Sequence, residues 1–335
     1  MLGRYLERID AELERAVRGP DIPLYTMARY QLGQVEADGS PASADRGKAV
    51  RPTLCLLMCE ALGGDLEAAL PAAAGLELLH NFTLVHDDVM DDDETRRHRP
   101  TVWVVWGRPQ AIDAGDLLHV LATLSVLRSG RNGASAPLAR DATEVVMQGC
   151  RLVTEGQHLD LAFETAAQVG VADYLDMISR KSAALLAVAF ELGAIFAGND
   201  PATRTACRDY GRHVGIVFQI RDDMLGIWGD PAVTGKPVGA DIQKRKKTLP
   251  ILHALETAAE PDRTRLRAMF GDNETPPDVE TTMAILKRAG SQSFTRDRIH
   301  DHATRASQAL ARLPVNPWGR RNLEAVAAYI ATRDR

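Results

Sequence analysis

Residues 84–103 read LVHDDVMDDDETRRHRPTVW, and this acidic stretch decides how the rest of the chain is interpreted. A second stretch of the same kind, residues 218–237, reads FQIRDDMLGIWGDPAVTGKP. Each of the two places adjacent carboxylates in an otherwise apolar run that is compatible with a helix. Two clusters of hard oxygen ligands on separate helices are what a protein needs to hold several Mg²⁺ ions and, through them, a diphosphate.

The first acidic stretch has the spacing of a metal-binding helix face. Asp87 and Asp91 share one face of a helix, and Asp88 flanks them. Like charges this close repel each other, so the cluster costs stability unless a cation neutralises it. Arg96 and Arg97 follow at once, which suits a polyanionic ligand that metal and arginines grip together. A solvated acidic loop is the alternative, but the apolar run before Asp87 points the cluster towards the core.

The second acidic stretch is weaker by itself. Asp222 and Asp223 end an apolar run, but the residue one helical turn after Asp222 is Gly226 and not a carboxylate. A pair of adjacent aspartates in a helix is more often a cap or a surface pair than a metal site. Cations follow the acids here as well, at Lys236 and in the run KRKK at 244–247. This repeated order of acids and then bases favours a second site for metal and diphosphate.

Composition and periodicity predict one all-α domain. The chain has 335 residues, of which 45% are hydrophobic and 5% aromatic, and this balance favours helix over sheet. No β-branched runs alternate between turn signals, so no strands are expected. Helices are predicted at residues 2–17, 51–62, 67–91, 109–128, 137–163, 172–197, 203–228, 248–257, 262–269, 278–289, 294–312 and 319–333. We expect a single domain over residues 1–335, with helix 2–17 packed on the core or on a dimer partner and both acidic stretches facing a common cavity.

Charge and cysteine content exclude several classes of protein. The formal net charge is −5 and no basic stripe contains interleaved aromatic residues, which argues against nucleic acid as a partner. Cys55 and Cys59 lie one helical turn apart and suit buried thiols better than a disulfide. The N-terminus has no apolar signal core, and the longest apolar run, about residues 183–197, is short for a bilayer and contains Glu191. We therefore expect a reduced, cytoplasmic protein without stable membrane insertion.

An ordered set of motifs resembles the trans-isoprenyl diphosphate synthases, also called polyprenyl synthetases. The motifs are GKAVRP at 47–52, HNFTLVHDDVMD at 80–91, RRHRPT at 96–101, GQHLDL at 156–161, RKSA at 180–183 and the second acidic region at 218–250. The resemblance implies an all-α, isoprenoid-synthase-type fold of mostly antiparallel helices around a deep central cavity, usually as a homodimer. The implied reaction joins isopentenyl diphosphate head-to-tail to an allylic diphosphate (dimethylallyl, geranyl or farnesyl diphosphate).

The resemblance also implies roles for the matching residues. Metal ligands, holding three Mg²⁺ ions for which Mn²⁺ can substitute, are implied at Asp87, Asp88, Asp91, Asp222 and Asp223. The residues implied to hold the allylic diphosphate are Arg96, Lys181, Lys236 and Lys246. Those implied to hold isopentenyl diphosphate are Lys48, Arg51, His80 and Arg97. Ser182 and Gln219 would face the reacting carbons, and the catalytic set is Asp87, Asp88, Lys181, Gln219 and Asp222.

The implied chemistry needs no side-chain nucleophile. Breaking the allylic carbon–oxygen bond yields a carbocation and a departing diphosphate, whose negative charge is stabilised by metal and fixed cations. The carbocation needs a dry cavity so that water does not capture it. The double bond of the second substrate then attacks, and the released diphosphate takes up the proton.

Two positions depart from the family pattern. Gly226 stands where many relatives carry a third aspartate, and Asp222 and Asp223 are expected to suffice without it. His98 stands where a glycine is common and is interpreted as tolerated loop variation. His119 shows no ligand spacing and is interpreted as structural.

Two residues before the first acidic cluster predict the length of the product. Thr83 lies one turn, about 6 Å, before Asp87 on the same helix face, and Phe82 lies beside it. Family members with an aromatic residue and then a small one at these positions resemble geranylgeranyl diphosphate synthases, which favours a twenty-carbon product. The alternatives are that Phe82 packs a helix interface, or that Leu78 and Leu79 limit the chain deeper in the helix.

Two other functions share part of this pattern. A terpene cyclase would use the same metal chemistry but would lack cations for a second substrate, whereas Lys48, Arg51 and His80 are present. A non-catalytic subunit of a heteromeric prenyl synthase would show decay of both acidic clusters, and only Gly226 is a sign of that. The chain-elongating synthase is therefore preferred.

Overall fold

The structure is a computed structural model, and it describes residues 2–42, 47, 49–166, 168–198, 200–235, 237–271 and 277–333. Over these residues the chain forms helices α1 to α17, which are Leu6–Ala16, Pro23–Gln31, Val50–Ala61, Leu66–Met90, Val102–Trp106, Arg108–Arg128, Ala136–Thr165, Val171–Lys181, Ala184–Phe196, Pro201–Trp228, Pro231–Thr234, Ala240–Gln243, Leu249–Thr257, Glu260–Gly271, Val279–Arg288, Ser291–Ala311 and Pro317–Thr332. Single 3₁₀ turns lie at Leu2–Arg4 and Ser129–Arg131. The predicted all-α fold class is confirmed.

One small hairpin interrupts the helical pattern. Strand β1, Thr95–Arg96, pairs in antiparallel register with strand β2, Arg99–Pro100. The expectation that the chain has no strands is wrong at this place. Strands of two residues are too short to show the alternation of apolar and polar residues that predicts a strand.

The chain forms two compact units, and each is described by itself. The first unit comprises Met1–Cys150, Val188–Thr205 and Pro314–Arg320. The second unit comprises Arg151–Ala187, Ala206–Leu313 and Arg321–Arg335. The interpretation as one domain over residues 1–335, with both acidic stretches at a common cavity, stays a prediction.

The first unit is built around α4, which packs against α1, α3 and α6. The helix begins at Asp65, whose carboxylate accepts hydrogen bonds from the backbone N–H groups of Glu67 and Ala68. Pro71 removes one backbone donor inside the helix, and the Glu67 carbonyl that loses it accepts a hydrogen bond from Asn132 Nδ2 at 3.2 Å. The N-terminal helix was predicted to pack on the core or on a dimer partner. The contact of α1 with α4 corresponds to the first of these.

Two long helices of the first unit differ in how deeply they are buried. Leu66–Met90 and Arg108–Arg131 are both long and apolar enough to cross a membrane, by length and composition alone. The most apolar window of the first is 78% buried inside the protein, as expected of a core helix, whereas that of the second is 44% buried. The apolar run at about residues 183–197, which the sequence analysis singled out, forms the shorter apolar helix Ala184–Phe196.

The second unit contains a helix break that the sequence did not predict. The predicted helix 172–197 is two helices, α8 and α9, which separate at Ser182 and Ala183. A Cβ atom at Gly215 would lie 2.6 Å from Ala183 Cα, and one at Gly156 would lie 2.3 Å from the Lys181 backbone nitrogen. Glycines on α10 and α7 therefore let those helices approach the break closely. The break depends on tertiary packing, which local helix propensity does not report.

The cysteines are free and buried. Burial raises the pKa of the Cys59 thiol to about 12 and raises that of Cys55 well above its usual range. The prediction that Cys55 and Cys59 are buried thiols rather than a disulfide is confirmed.

Candidate active site

The first acidic cluster lies at the last turn of α4. Asp88 is only 1% exposed, whereas Asp91 is exposed directly after the helix and its N–H donates to the carbonyl of Asp87 at 2.8 Å. Arg96 Nε donates to Asp88 Oδ1 at 2.6 Å, and burial nevertheless raises the pKa of Asp88. Asp88 Oδ2 is buried and has no hydrogen-bond partner among the described residues. Such an oxygen costs free energy until a cation or a water molecule satisfies it.

The β-hairpin after α4 places the arginine pair. Its turn residues, Arg97 and His98, have φ angles of 50° and 62°, in the left-handed region that glycine adopts at least cost. This backbone conformation would account for the glycine that the family resemblance implies at position 98. Strained backbone at a predicted substrate residue supports a functional role for Arg97. Arg99, by contrast, is held structurally, because it donates to the carbonyls of Tyr30 and Val35 at 3.1 and 2.8 Å.

Residues predicted to hold isopentenyl diphosphate are neighbours in the first unit. A Cβ atom at Gly47 would lie 2.8 Å from Arg97 Nη1, so the glycine of GKAVRP lets the guanidinium lie against its backbone. Burial, and then the charges of Arg51 and the hairpin arginines, holds the pKa of His80 well below its usual range. His80 is therefore neutral at neutral pH. Lys48, predicted for the same diphosphate, lies outside the described residues.

A buried carboxyl accompanies this basic group. Glu77, one turn before His80 on α4, is 6% exposed, and its Oε1 accepts a hydrogen bond from Asn81 Nδ2 at 3.3 Å. Burial raises the pKa of Glu77, and the charges of Arg51 and Arg97 oppose the rise. Its other oxygen, Oε2, is buried with no hydrogen-bond partner in the described part of the chain. The sequence did not single out Glu77.

Phe82, predicted to limit the product, lies between two histidines. Its ring centroid is 4.8 Å from that of His86 at an interplanar angle of 70°, and 5.0 Å from that of His119 at 30°. His119 Nε2 lies 3.7 Å from Cys150 Sγ. Thr83 turns its hydroxyl back onto the helix and donates to the backbone carbonyl three residues earlier, at 2.8 Å. Phe82, on α4, thus packs against α6. This place is compatible with both predicted roles, the limit on product length and the packing of a helix interface.

On α10 the two aspartates of the second acidic stretch have opposite surroundings, and Asp222 is the accessible one. Its side chain is 55% exposed, and its Oδ1 lies 3.3 Å from Arg333 Nη2. The guanidinium of Arg333 lies 4.0 Å from the ring centroid of Phe218, and the Arg333 carbonyl accepts a hydrogen bond from Arg221 Nε at 2.7 Å. The last described residue of the chain is therefore docked on this face of α10.

Asp223 is 2% exposed and both of its oxygens are engaged. Oδ1 accepts a hydrogen bond from Gln219 Nε2 at 3.0 Å, and Oδ2 accepts from the Tyr174 hydroxyl at 2.6 Å and from the Leu249 backbone N–H at 3.3 Å. Burial raises the pKa of Asp223 to about 7, although these hydrogen bonds oppose the rise. A cation bound at Asp223 would have to displace one of these hydrogen bonds, and the metal-ligand role of Asp223 stays a prediction.

The hydrogen-bond chain continues to the helix break. Gln219 Oε1 accepts a hydrogen bond from Ser182 Oγ at 2.7 Å. Asp223 thus orients the amide of Gln219, and the amide in turn orients the hydroxyl of Ser182. The structure brings together the two side chains that the sequence predicted to face the reacting carbons.

Two sequence motifs meet at Lys181. Its Nζ lies 2.5 Å from Asp160 Oδ2, so the carboxylate of GQHLDL holds the lysine of RKSA. Lys246 is exposed, and its backbone N–H donates to the carbonyl of Asp241 at 2.9 Å. Lys236 lies outside the described residues.

Several residues that shape these clusters were missed by sequence reasoning: Glu77, Asp160, Tyr174, Asp241 and Arg333. Asp160 and Asp241 lie inside motifs that the sequence analysis identified, and their place in those motifs could have marked them as candidate site residues. The others gain their place only through packing, since nothing in their local sequence distinguishes them.

The donor set at the end of α4 fits Mg²⁺. Three carboxylates, Asp87, Asp88 and Asp91, lie within about one helical turn, and Asp88 Oδ2 is the buried oxygen without a hydrogen bond described above. Over the residues that the structure describes, no group of three acidic, histidine or cysteine side chains is arranged to hold a metal by itself. Mg²⁺ commonly binds one or two carboxylates and completes its coordination with substrate phosphates and water, so a diphosphate would supply the missing ligands.

Comparison with known proteins agrees with these observations. The family model for polyprenyl synthetases matches residues 40–286. A geranylgeranyl diphosphate synthase of Mycobacterium tuberculosis is 43% identical over 315 residues, which are 92% of this chain and 88% of that protein. A (2E,6E)-farnesyl diphosphate synthase of Mycobacterium bovis is 37% identical over 338 residues, covering 99% of this chain and 92% of that protein. The crystal structure of geranylgeranyl pyrophosphate synthase from Corynebacterium glutamicum, complexed with isoprenyl diphosphate and magnesium, has a TM-score of 0.82 and 29% identity, and 99% of each chain is covered. This chain belongs to the polyprenyl synthetase family.

Proposed function

We propose that this protein joins isopentenyl diphosphate to an allylic diphosphate and releases geranylgeranyl diphosphate. Membership of the family makes it a prenyltransferase, and the family is metal-dependent. The relatives include both a farnesyl and a geranylgeranyl diphosphate synthase, so the product length depends on this chain's own residues. The relatives named above are prenyl diphosphate synthases, which favours neither the cyclase nor the non-catalytic subunit, and Gly226 is the one sign of the latter.

The observation that carries the proposal is the cluster of Asp87, Asp88, Asp91 and Arg96 at the end of α4. Asp87, Asp88 and Asp91 would hold Mg²⁺ on the allylic diphosphate, and Asp88 Oδ1 also holds Arg96, which would contact the same anion. We propose a further ion at Asp222, three in all, with Mn²⁺ able to substitute. When bound, the metal neutralises the charge that develops on the leaving diphosphate.

Side chains of the second unit would orient the allylic substrate. Asp160 holds Lys181 in one place, so that the ammonium group can donate to the diphosphate without a large loss of rotamer entropy. Ser182 and Gln219, linked to Asp223, would present fixed dipoles to the carbons that carry positive charge. None of these groups needs to exchange a proton with the substrate.

Isopentenyl diphosphate would bind to Arg51, His80 and Arg97, together with Lys48. Burial lowers the pKa of the Arg51 guanidinium, yet an arginine remains charged at every physiological pH, so the anion meets permanent cations. His80, whose pKa is held low, would donate a hydrogen bond as a neutral imidazole and would not supply a proton.

Phe82 and His119 support the twenty-carbon product. A prenyl chain that extends from the metal-bound diphosphate past Asp87 along α4 would meet the side chain of Phe82, which precedes Asp87 by five residues. His119 of α6 stacks on that ring, so Phe82 would not move towards α6 without displacing His119. Thr83 is small and leaves the adjoining space open. Growth would therefore stop where the aromatic pair begins.

A homodimer is the assembly that α6 supports. Its exposed aliphatic side chains are Ile112, Val120, Leu124 and Leu127, each between 45% and 53% exposed. An apolar row of this length on one helix is unusual for a surface that faces water and suits a second copy of the chain.

Purified protein incubated with Mg²⁺, isopentenyl diphosphate and each allylic primer tests the proposal. We expect consumption of isopentenyl diphosphate and a twenty-carbon product. Asp87→Asn should lower turnover by about 10³-fold with an unchanged circular dichroism spectrum. Asp92→Asn is the matched control, because Asp92 is exposed and is paired with Arg108. Near-normal turnover by Asp87→Asn would refute the metal assignment, and a cyclic hydrocarbon formed without isopentenyl diphosphate would refute the reaction.

A further inference from the structure

Gly226 is the position where the second acidic cluster departs from the family pattern, and the structure shows what occupies its space. It is buried on α10, one turn after Asp222 and therefore on the same helix face. A Cβ atom at Gly226 would lie 1.8 Å from Asp241 Oδ2 and 2.5 Å from Asp241 Cγ. The carboxylate of Asp241 thus lies where a side chain at position 226 would begin.

Asp241 is held there by α12, which is joined to the same turn of α10. The backbone N–H of Gly239, the residue before α12, donates to the carbonyl of Ile227 at 3.1 Å. Ile242 and Ile227 are both fully buried in one hydrophobic cluster. Gly239 has a φ angle of 73°, a conformation that favours glycine and turns the chain into the helix. Since a backbone hydrogen bond and core packing both fix α12, the place of Asp241 is determined by the fold.

The carboxylates of this region share one electrostatic neighbourhood. Burial is the main cause that raises the pKa of the Tyr174 hydroxyl. The charges of Asp223, Asp160 and Asp241 raise it further. That hydroxyl donates to Asp223, which also accepts a hydrogen bond from Gln219.

We propose that Asp241 is the third carboxylate of the second acidic cluster, supplied from α12 through the space that Gly226 leaves. This inference rests on the proposed function, in which Asp222 holds Mg²⁺ on the diphosphate. Asp223 is turned into the core, and we propose that Asp222 and Asp241 are the carboxylates that would face a bound cation or its water molecules. Gly226 is then required, because any side chain at that position displaces Asp241.

Binding of Mn²⁺ in the presence of inorganic pyrophosphate, followed by the electron paramagnetic resonance signal of free Mn²⁺, tests the proposal without turnover. We expect Asp241→Asn to weaken binding of the most sensitive ion by about tenfold. Gly226→Ala should weaken it to a similar extent by displacing the carboxylate. The double variant Gly226→Asp with Asp241→Gly should bind more tightly than Asp241→Asn, because it returns a carboxylate to the same space.

Asp230→Asn is the matched control, since Asp230 lies in the same segment and its side chain accepts a helix-capping hydrogen bond from the Ala232 backbone N–H, a role that asparagine also fills. It should bind Mn²⁺ within about twofold of the unchanged chain. Weak binding by Asp222→Asn together with unchanged binding by Asp241→Asn would overturn the inference and leave the proposed function in place. Unchanged binding by Asp222→Asn would overturn the proposed metal position at that residue and the inference with it. Thermal unfolding of each variant separates a folding defect from a binding defect, and Asp241→Asn, which keeps the shape of the side chain, carries the decision if Gly226→Ala fails to fold.

Discussion

Replacing Phe82 with alanine should lengthen the product by one isoprene unit. The Phe82 ring lies against His86 and His119 at centroid distances of 4.8 and 5.0 Å, and in the proposed function it ends the path of the prenyl chain along α4. Without the ring, the path stays open for one more helical turn, about 5.4 Å, as far as the level of Leu78 and Leu79. One isoprene unit adds four backbone bonds, or about 5 Å of extended chain, so the added space holds one unit.

The expected product of Phe82→Ala is therefore a twenty-five-carbon diphosphate. The double variant with His119→Ala should exceed that length, because the second ring that backs Phe82 is also gone. Because the Phe82 side chain is only half-buried, Phe82→Ala should lower the free energy of unfolding by about 2 kcal/mol, less than the loss expected for a fully buried phenylalanine.

Product sizing by chromatography and mass spectrometry, with farnesyl diphosphate as primer, measures the result. Phe196→Ala is the control, since Phe196 is buried in the first unit at 4% exposure and has no predicted role in chain length. It should destabilise the protein without changing the product. An unchanged twenty-carbon product from both Phe82→Ala and the double variant would refute the reasoning, as would a fifteen-carbon product from the unchanged chain.

Three further outcomes follow from the structure. Arg96→Ala leaves the buried Asp88 carboxylate without its cation and should lower the free energy of unfolding in urea by about 3 kcal/mol at pH 8, a loss that adding Asp88→Asn should largely reverse. Leu124→Glu places charge in the exposed row of α6 and should convert a dimer into monomers by sedimentation velocity; a variant that stays dimeric contradicts that interface. Burial, and then the charge of His213, lowers the pKa of His302 to about 4, so the unfolded chain binds a proton below pH 6.5 that the folded chain does not. Stability should therefore fall by about 2 kcal/mol between pH 6.5 and pH 4 after allowance for partial exposure, and His302→Gln should reduce that drop in thermal unfolding.

The sequence predicted the long helices of this protein because each buries an apolar face with a regular period. The helix at 67–91 was placed within one residue of Leu66–Met90, since its apolar run is long and continues up to the acidic cluster. The short helix Pro23–Gln31 and the hairpin after α4 were not predicted. Elements of this length depend on neighbouring contacts for their stability, and a few residues carry too little pattern to reveal them.

The acidic and basic motifs identified the family and most of the candidate site, because metal and diphosphate chemistry restricts which residue types can serve. The sequence could not show which of Asp222 and Asp223 is exposed, because the two are adjacent and chemically identical. Only the tertiary structure decided that one is exposed and that the other is turned into the core towards Tyr174.

What the sequence determined by itself is therefore the chemistry: the all-α class, the acidic clusters and the cations beside them. What only the tertiary structure decided is the surroundings of each group, such as the pairing of Lys181 with Asp160 and the place of Asp241 against Gly226. The physical reason is range. Residue type and helical period act over a few positions along the chain, whereas burial and hydrogen bonding join residues that lie far apart in sequence.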